Sequence, residues 1–156
     1  MNWEAISAVG EILGATGVIV SLVYLATQIK TQNQESRLAA MHEISVGFRD
    51  ATSRITEGDL ADIWVRSLKD YDGLEESERL KLIIAITAII RAWEEAFIQH
   101  QTGHLETRIW QTITKYHGFI LGSIPVARVW EIRKAYFDDQ FREYVDNMEK
   151  PEWSMN

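Results

Sequence analysis

The stretch Ile6–Ile29, ISAVGEILGATGVIVSLVYLATQI, decides how the rest of the chain is interpreted. From Ile12 to Ile29 it carries no charge, and Lys30 ends the run. As an α-helix those residues rise about 27 Å, close to the roughly 30 Å hydrocarbon core of a bilayer. The sequence therefore predicts a transmembrane helix over residues 1–30, followed by a helical domain over residues 31–156.

Small residues in this segment recur at spacings of three and four, which places them on one face of the helix. They are Ser7, Gly10, Gly14, Gly17 and Ser21, here named the small-residue stripe. This alternation is the heptad spacing of helices in a left-handed bundle, and small side chains let membrane helices approach closely. We expect the stripe to be a helix-packing interface, with a second copy or with another membrane protein. The alternative is a lone anchor with incidental glycines.

A second alternative is that the segment is a buried helix of a soluble bundle, because Glu11, Thr16 and Ser21 dilute its apolar character. Glycine favours the membrane, since each glycine inside a soluble helix costs about 1 kcal/mol relative to alanine. A signal peptide is not predicted, because no basic residue precedes the apolar run. Lys30 and Arg37 follow the run, so the positive-inside rule predicts an outside N-terminus and a cytoplasmic C-terminal domain.

Glu11 is an ionisable residue beside the small-residue stripe, where a charge is expensive unless it faces protein, water or the interface. One hypothesis makes it a possible pore or polar site, a ring of carboxylates at the outer mouth of a homo-oligomeric ion channel. The other hypothesis places Glu11 at the depth of the lipid headgroups, with its side chain extending toward the aqueous phase.

The remainder of the chain shows helical periodicity and no strand-length alternation, so the predicted fold is all-α, an N-terminal transmembrane helix followed by a bundle of about five helices. Residues 31–57 are predicted to be helical, with one face formed by Leu38, Met41, Ile44, Ser45 and Phe48. A central helix is predicted from Ser77 to near Gly103. Its apolar run Leu82–Ile90 is too short to span a bilayer, which indicates a core helix.

The predicted boundaries of the other helices come from capping residues and breakers. Asp59 is predicted to cap a short helix, and a further helix is expected from about Leu105 to Leu121. Pro125 suits a first helical turn. The last helix is predicted to carry one apolar stripe and to end before Pro151; the stripe consists of Phe137, Phe141, Tyr144, Val145 and Met148.

Composition excludes several functions. The net charge of −7 argues against a nucleic-acid partner, since phosphate binding needs clustered Lys and Arg. The chain has no Cys, which excludes disulfides, thiolate zinc sites and thiol nucleophiles.

Candidate catalytic and metal-ligating residues are sparse. His100 and His104 are four residues apart and are weak candidates for a shared metal, but Gly103 between them is expected to end the helix. Glu94 and Glu95 are adjacent, so they diverge on a helix and do not form an acid–base pair. His117 lies on an apolar helix face and is expected to be a core residue with one hydrogen bond. We predict no enzyme and no cofactor.

The opening residues Trp3–Ile29 resemble the N-terminal motif WEAIxxxGEILGxxxVIxSLxYLAxQI of a widespread, uncharacterised family of small bacterial single-pass membrane proteins. The resemblance continues along most of the chain, at Glu76–Leu80, at Trp93–His100, at the residues Gly103, Leu105 and Trp110, and at Phe137–Val145. Within the last of these segments, Asp138 and Asp139 depart from the family pattern. The resemblance implies fold and topology, and therefore the bacterial inner (cytoplasmic) membrane, but lends no catalytic residues.

The sequence thus predicts a non-enzymatic, membrane-anchored helical protein whose partners are the lipid bilayer and either a second copy or another membrane protein. It assembles through the small-residue stripe as a homo-oligomer or as an accessory subunit. The alternatives are the channel and a membrane-tethered domain that binds a small molecule or a metal.

Overall fold

A computed structural model describes residues 2–56, 58–151 and 153–154, with Ala5 described for its backbone alone. The all-α prediction is confirmed, since these residues form helices and no strand. The helices are α1 (Trp3–Thr56), α2 (Leu60–Ser67), α3 (Glu76–Gln101), α4 (Thr107–Leu121), α5 (Ile124–Arg133) and α6 (Asp139–Asn147), with a 3₁₀ turn at Lys134–Tyr136.

The first helix, α1, continues from the apolar segment through the amphipathic pattern that follows, because no proline interrupts these residues and Gly47 is accommodated within the helix. The predicted end at Glu57 lies outside the described residues. By its internal contacts the chain divides into two compact units, Met1–Ala39 and Ala40–Asn156. In the first unit every side chain described is exposed.

The core of the second unit is built around α3, which contacts α2, α4 and α5. Within the run Leu82–Ile90, Leu82 and Ile86 are fully buried and Ile90 nearly so, which confirms that this run is a core helix. Trp93 and Phe97 extend the same buried face. α3 begins at Glu76, where the Glu75 N–H donates to the Glu78 carboxylate at 3.1 Å and so caps the first turn.

Breakers set the later helix ends. Gly103 has φ +78°, a conformation that favours glycine, and α3 ends just before it at Gln101, as predicted. Pro125 lies in the first turn of α5, also as predicted.

Asp59 occupies the N-cap position of α2, as predicted, but its carboxylate makes no capping hydrogen bond and instead accepts one from Lys81 Nζ at 2.7 Å. The predicted start of the last helix is wrong. The last helix begins at Asp139 and not at Phe137, because the Asp138 carboxylate accepts the N–H groups of Gln140 and Phe141 at 2.9 and 3.1 Å and so caps the helix there.

Candidate functional site

The small-residue stripe lies on α1 with its face uncovered. Ser7, Gly10, Gly14, Gly17 and Ser21 are all exposed. A Cβ atom built on any of the three glycines would meet no heavy atom within 4 Å. The Ser21 hydroxyl donates to the Gly17 carbonyl at 2.9 Å, so its proton is used within the helix. The stripe is therefore a shallow face with room for another helix.

The side chains around the stripe are large, apolar and equally uncovered. Twelve such residues lie between Ile6 and Ile29, and each is at least 50% exposed: Ile6, Val9, Ile12, Leu13, Val18, Ile19, Val20, Leu22, Val23, Tyr24, Leu25 and Ile29. One helix of the described chain, α1, is long and apolar enough to cross a membrane, and no residue of its most apolar 18-residue window is buried. Within the described chain this segment is not the core helix of a soluble bundle.

Glu11 is exposed on α1, next to Gly10 of the small-residue stripe. Its position along the helix agrees both with a carboxylate at an oligomer axis and with one at headgroup depth.

His100 and His104 do not converge on a common point. His100 stacks on Trp110 with ring centroids 5.3 Å apart, and its Nδ1 lies 3.3 Å from the Leu105 carbonyl oxygen. His104 follows the end of α3, and its Nδ1 shares a hydrogen bond with the Thr102 hydroxyl at 2.9 Å. Among the residues that the structure describes, no group of three or more potential metal ligands forms.

Glu94 and Glu95 have different roles, as their adjacency predicts. Glu94 is buried, and its carboxylate accepts the backbone N–H of Asp138 at 2.7 Å and a hydrogen bond from Arg91. Glu95 is exposed and accepts a hydrogen bond from the Gln99 side chain at 3.0 Å. Glu94 therefore holds the segment before α6 against α3, and the two carboxylates do not face one another.

His117 is a core residue with one hydrogen bond, as expected from its apolar helix face. It is 2% exposed, and its Nδ1–H donates to the Ile113 carbonyl at 2.8 Å. The ring stacks on Trp93 with centroids 4.8 Å apart. Burial lowers the pKa of the imidazole to about 4, partly offset by the Ile113 hydrogen bond, so the ring is neutral at pH 7. Its Nε2 is buried and has no hydrogen-bond partner among the residues that the structure describes.

A cavity of about 410 Å³ lies beside His117, within the second unit. Met41, Ile44 and Phe48 of α1 and Ile113, Tyr116 and His117 of α4 form most of its wall. The sequence placed Met41, Ile44, Ser45 and Phe48 on one face but did not reveal the cavity. The only signal for it in the sequence is a polar imidazole within an apolar stripe.

Comparison of the chain with protein-family models, with curated proteins and with solved structures gives no match. The geometry of the small-residue stripe and of the cavity is therefore what supports a function.

Proposed function

We propose that this protein is a single-pass membrane protein of the bacterial inner membrane, with its N-terminus outside and its helical domain in the cytoplasm. It is not an enzyme. It assembles through the small-residue stripe of α1, either with itself or as an accessory subunit of a membrane complex.

The observation that carries this proposal is the exposure of twelve large apolar side chains between Ile6 and Ile29. Monomeric soluble proteins rarely expose contiguous apolar patches beyond a few hundred Å². At about 1–1.5 kcal/mol for each half-exposed side chain, covering them is worth on the order of 10–20 kcal/mol, as much as the whole stability of a domain. A bilayer supplies that cover along the entire segment.

The small-residue stripe supports the assembly part of the proposal. In a membrane, helices associate through close packing and not through the hydrophobic effect, so a face of glycine and serine is where two backbones approach. The glycine positions are open on α1, and the Ser21 hydroxyl needs no outside acceptor. A partner helix can therefore pack there without leaving a polar group unpaired.

The test is the mass of the detergent-solubilised full chain, counted as protein alone, for the wild type and two variants. Gly14→Leu places a branched side chain in the middle of the small-residue stripe. Val23→Leu, on the opposite face of the same helix, adds apolar volume outside the stripe and is the matched control. We expect the wild type and Val23→Leu to give the same particle, larger than one 18.0 kDa chain, and Gly14→Leu to give a monomer.

Two results would contradict the proposal. Release of the wild type from membranes by alkaline carbonate would refute the membrane span. An unchanged particle mass for Gly14→Leu would refute assembly through the stripe. A wild-type particle that contains other chains identifies the accessory-subunit form.

A further inference from the structure

In the second unit, α3, α5 and the 3₁₀ turn that follows α5 present large apolar side chains side by side at the surface. Those that are more than half exposed are Leu80, Ile84, Ile132 and Tyr136. Two shallow grooves run between these elements, and Ile83 of α3 lines both of them. The exposed side chains therefore belong to one continuous surface, here named the α3–α5 face.

Tyr136, at one end of the α3–α5 face, is held by a fixed backbone. The Arg91 side chain donates a hydrogen bond to the Tyr136 carbonyl, and its guanidinium lies 4.2 Å from the centroid of the Phe137 ring. Tyrosine and arginine are enriched at the centres of protein interfaces, and a side chain on an ordered backbone loses little freedom when it is covered. The exposure of Tyr136 is thus a feature of the folded surface.

The apolar area of the α3–α5 face is large enough for a weak specific contact. The exposed parts of the apolar side chains amount to an area on the order of 400 Å², which is as large as the largest patch on a typical monomer. A twofold contact buries the same patch on both copies. With its polar rim, such a contact reaches roughly 1,000 Å², the lower end of the range for specific interfaces.

The rim of the α3–α5 face carries charges of both signs in equal number. Its charged side chains are Arg79, Arg128, Arg133, Asp72, Glu76 and Glu131. The whole chain has a net charge of −7, so this balance is a local property of the face. An anionic lipid surface or a nucleic acid would select an excess of Lys and Arg. A strongly charged partner of either sign would be repelled by half of the rim.

A second copy of the same face supplies both signs of charge. Arg79, Arg133 and Glu76 form no salt bridge with any residue that the structure describes. In a twofold contact, each pairing of one copy's residue with the other's occurs a second time in reverse. One Arg–Glu pairing across the axis is therefore made twice, and complementary charges of this kind favour the matching partner over others.

We infer that the α3–α5 face is a contact surface between two copies of this chain, with the exposed apolar side chains at its centre and the basic rim of each copy against the acidic rim of the other. The inference rests on the proposed anchoring in a bilayer, because anchoring concentrates the copies, whereas a contact of this size does not hold in dilute detergent solution. It uses no residue of the small-residue stripe.

The test uses crosslinking of the full chain in membrane vesicles. Because the chain has no cysteine, one introduced cysteine defines the site of any crosslink. Ile84→Cys places a thiol beside Ile83, near the middle of the α3–α5 face, and Ile98→Cys is the matched control, outside both grooves and about 21 Å further along the same helix. With a short bismaleimide we expect a product of two chains from Ile84→Cys, at least about tenfold more than from Ile98→Cys.

Two double substitutions, each made in the Ile84→Cys chain, test the charge pairing. Arg79→Glu with Arg133→Glu makes the rim acidic, and Glu76→Lys with Glu131→Lys makes it basic. Each variant alone should crosslink to itself at least about tenfold less than the parent, because like charges then face one another. When the two variants are produced together, a mixed product should return to the level of the parent, which misfolded chains would not give.

The inference is overturned if Ile84→Cys crosslinks no more than Ile98→Cys, if the product contains another protein in place of a second copy, or if the two rim variants together give no mixed product. In a chain that stays in the membrane after an alkaline carbonate wash, these results leave the proposed membrane function standing. Release of the chain by that wash refutes the anchoring itself, and so the two failures are told apart.

Discussion

Acid should destabilise the second unit through His117. The folded state holds this imidazole neutral, with a pKa of about 4, against an ordinary value of 6.5. As the pH falls below 6.5 the unfolded chain takes up a proton that the folded chain refuses, so the unfolded state is favoured. The stabilisation is therefore complete above about pH 6.5 and is lost progressively between pH 6.5 and 4.

The magnitude follows from the two pKa values. A difference of about 2.5 pKa units corresponds to about 3.4 kcal/mol when the loss is complete. At pH 4.5 the loss is about 2.5 kcal/mol relative to pH 7.5. That is a substantial share of the roughly 5–15 kcal/mol by which a domain is stable.

The assay is guanidinium unfolding of the full chain in nanodiscs at pH 7.5 and pH 4.5, followed by tryptophan fluorescence. His117→Phe is the reference, because it keeps all other titrating groups. Hydrogen bonds from Lys81 and Arg66 lower the carboxyl pKa values of Asp59 and Glu78, so these groups also weaken the fold in acid, but they do so in both proteins and cancel.

We expect the wild type to lose about 2.5 kcal/mol more than His117→Phe between the two pH values. An NMR titration of the imidazole C–H signals reads the same pKa directly. Equal losses in the two proteins, or a His117 signal that titrates near pH 6.5, would refute the assignment of a neutral, buried imidazole.

Two further predictions concern polar contacts in the core, measured by the same guanidinium titration at pH 7.5. Glu94→Ala should lower the free energy of unfolding by about 1.5–3 kcal/mol, because it removes a charged acceptor from the Asp138 N–H. Glu95→Ala, on the exposed face, is the control and should lower it by less than about 0.5 kcal/mol. Equal losses of stability in the two variants would contradict this prediction. Asp146→Ala should cost about 1–3 kcal/mol, because the Trp130 indole N–H, which donates to Asp146 at 2.7 Å, is left buried without an acceptor. The same change in a Trp130→Phe background should cost much less, and an undiminished loss would show that the hydrogen bond is not the cause.

Local sequence signals predicted the helices well. The uncharged run Leu82–Ile90, apolar except for Thr87, is too short for a membrane span and fits a core helix. Gly103 and Pro125 act through backbone constraints that are local in sequence. The predicted start of the last helix is wrong because a tertiary contact sets the actual start. Phe137 adopts an extended conformation, and the next N–H binds the carboxylate of Glu94, which is 44 residues away in sequence.

The cavity was beyond sequence reasoning for the same reason. Periodicity identified the α1 face that includes Phe48 and the α4 face that includes His117, each as an amphipathic stripe. It gives no information on the pairing of the two stripes, which brings Phe48 within 5.6 Å of His117 across 69 positions of chain. Sequence periodicity also does not show that these two helix faces pack imperfectly and leave a cavity between them.

Two features of the chain depart from the usual arrangement of apolar and polar groups, each in a different part of the molecule. Along Ile6–Ile29 apolar side chains are exposed, whereas the Nε2 atom of His117 is buried without a hydrogen-bond partner in the described part of the chain. Each arrangement is unfavourable for an isolated chain in water, and such departures from local consistency are concentrated at functional sites. A bilayer with a partner helix relieves the first arrangement. Because the two features lie in separate compact units, the membrane proposal for Ile6–Ile29 does not depend on His117.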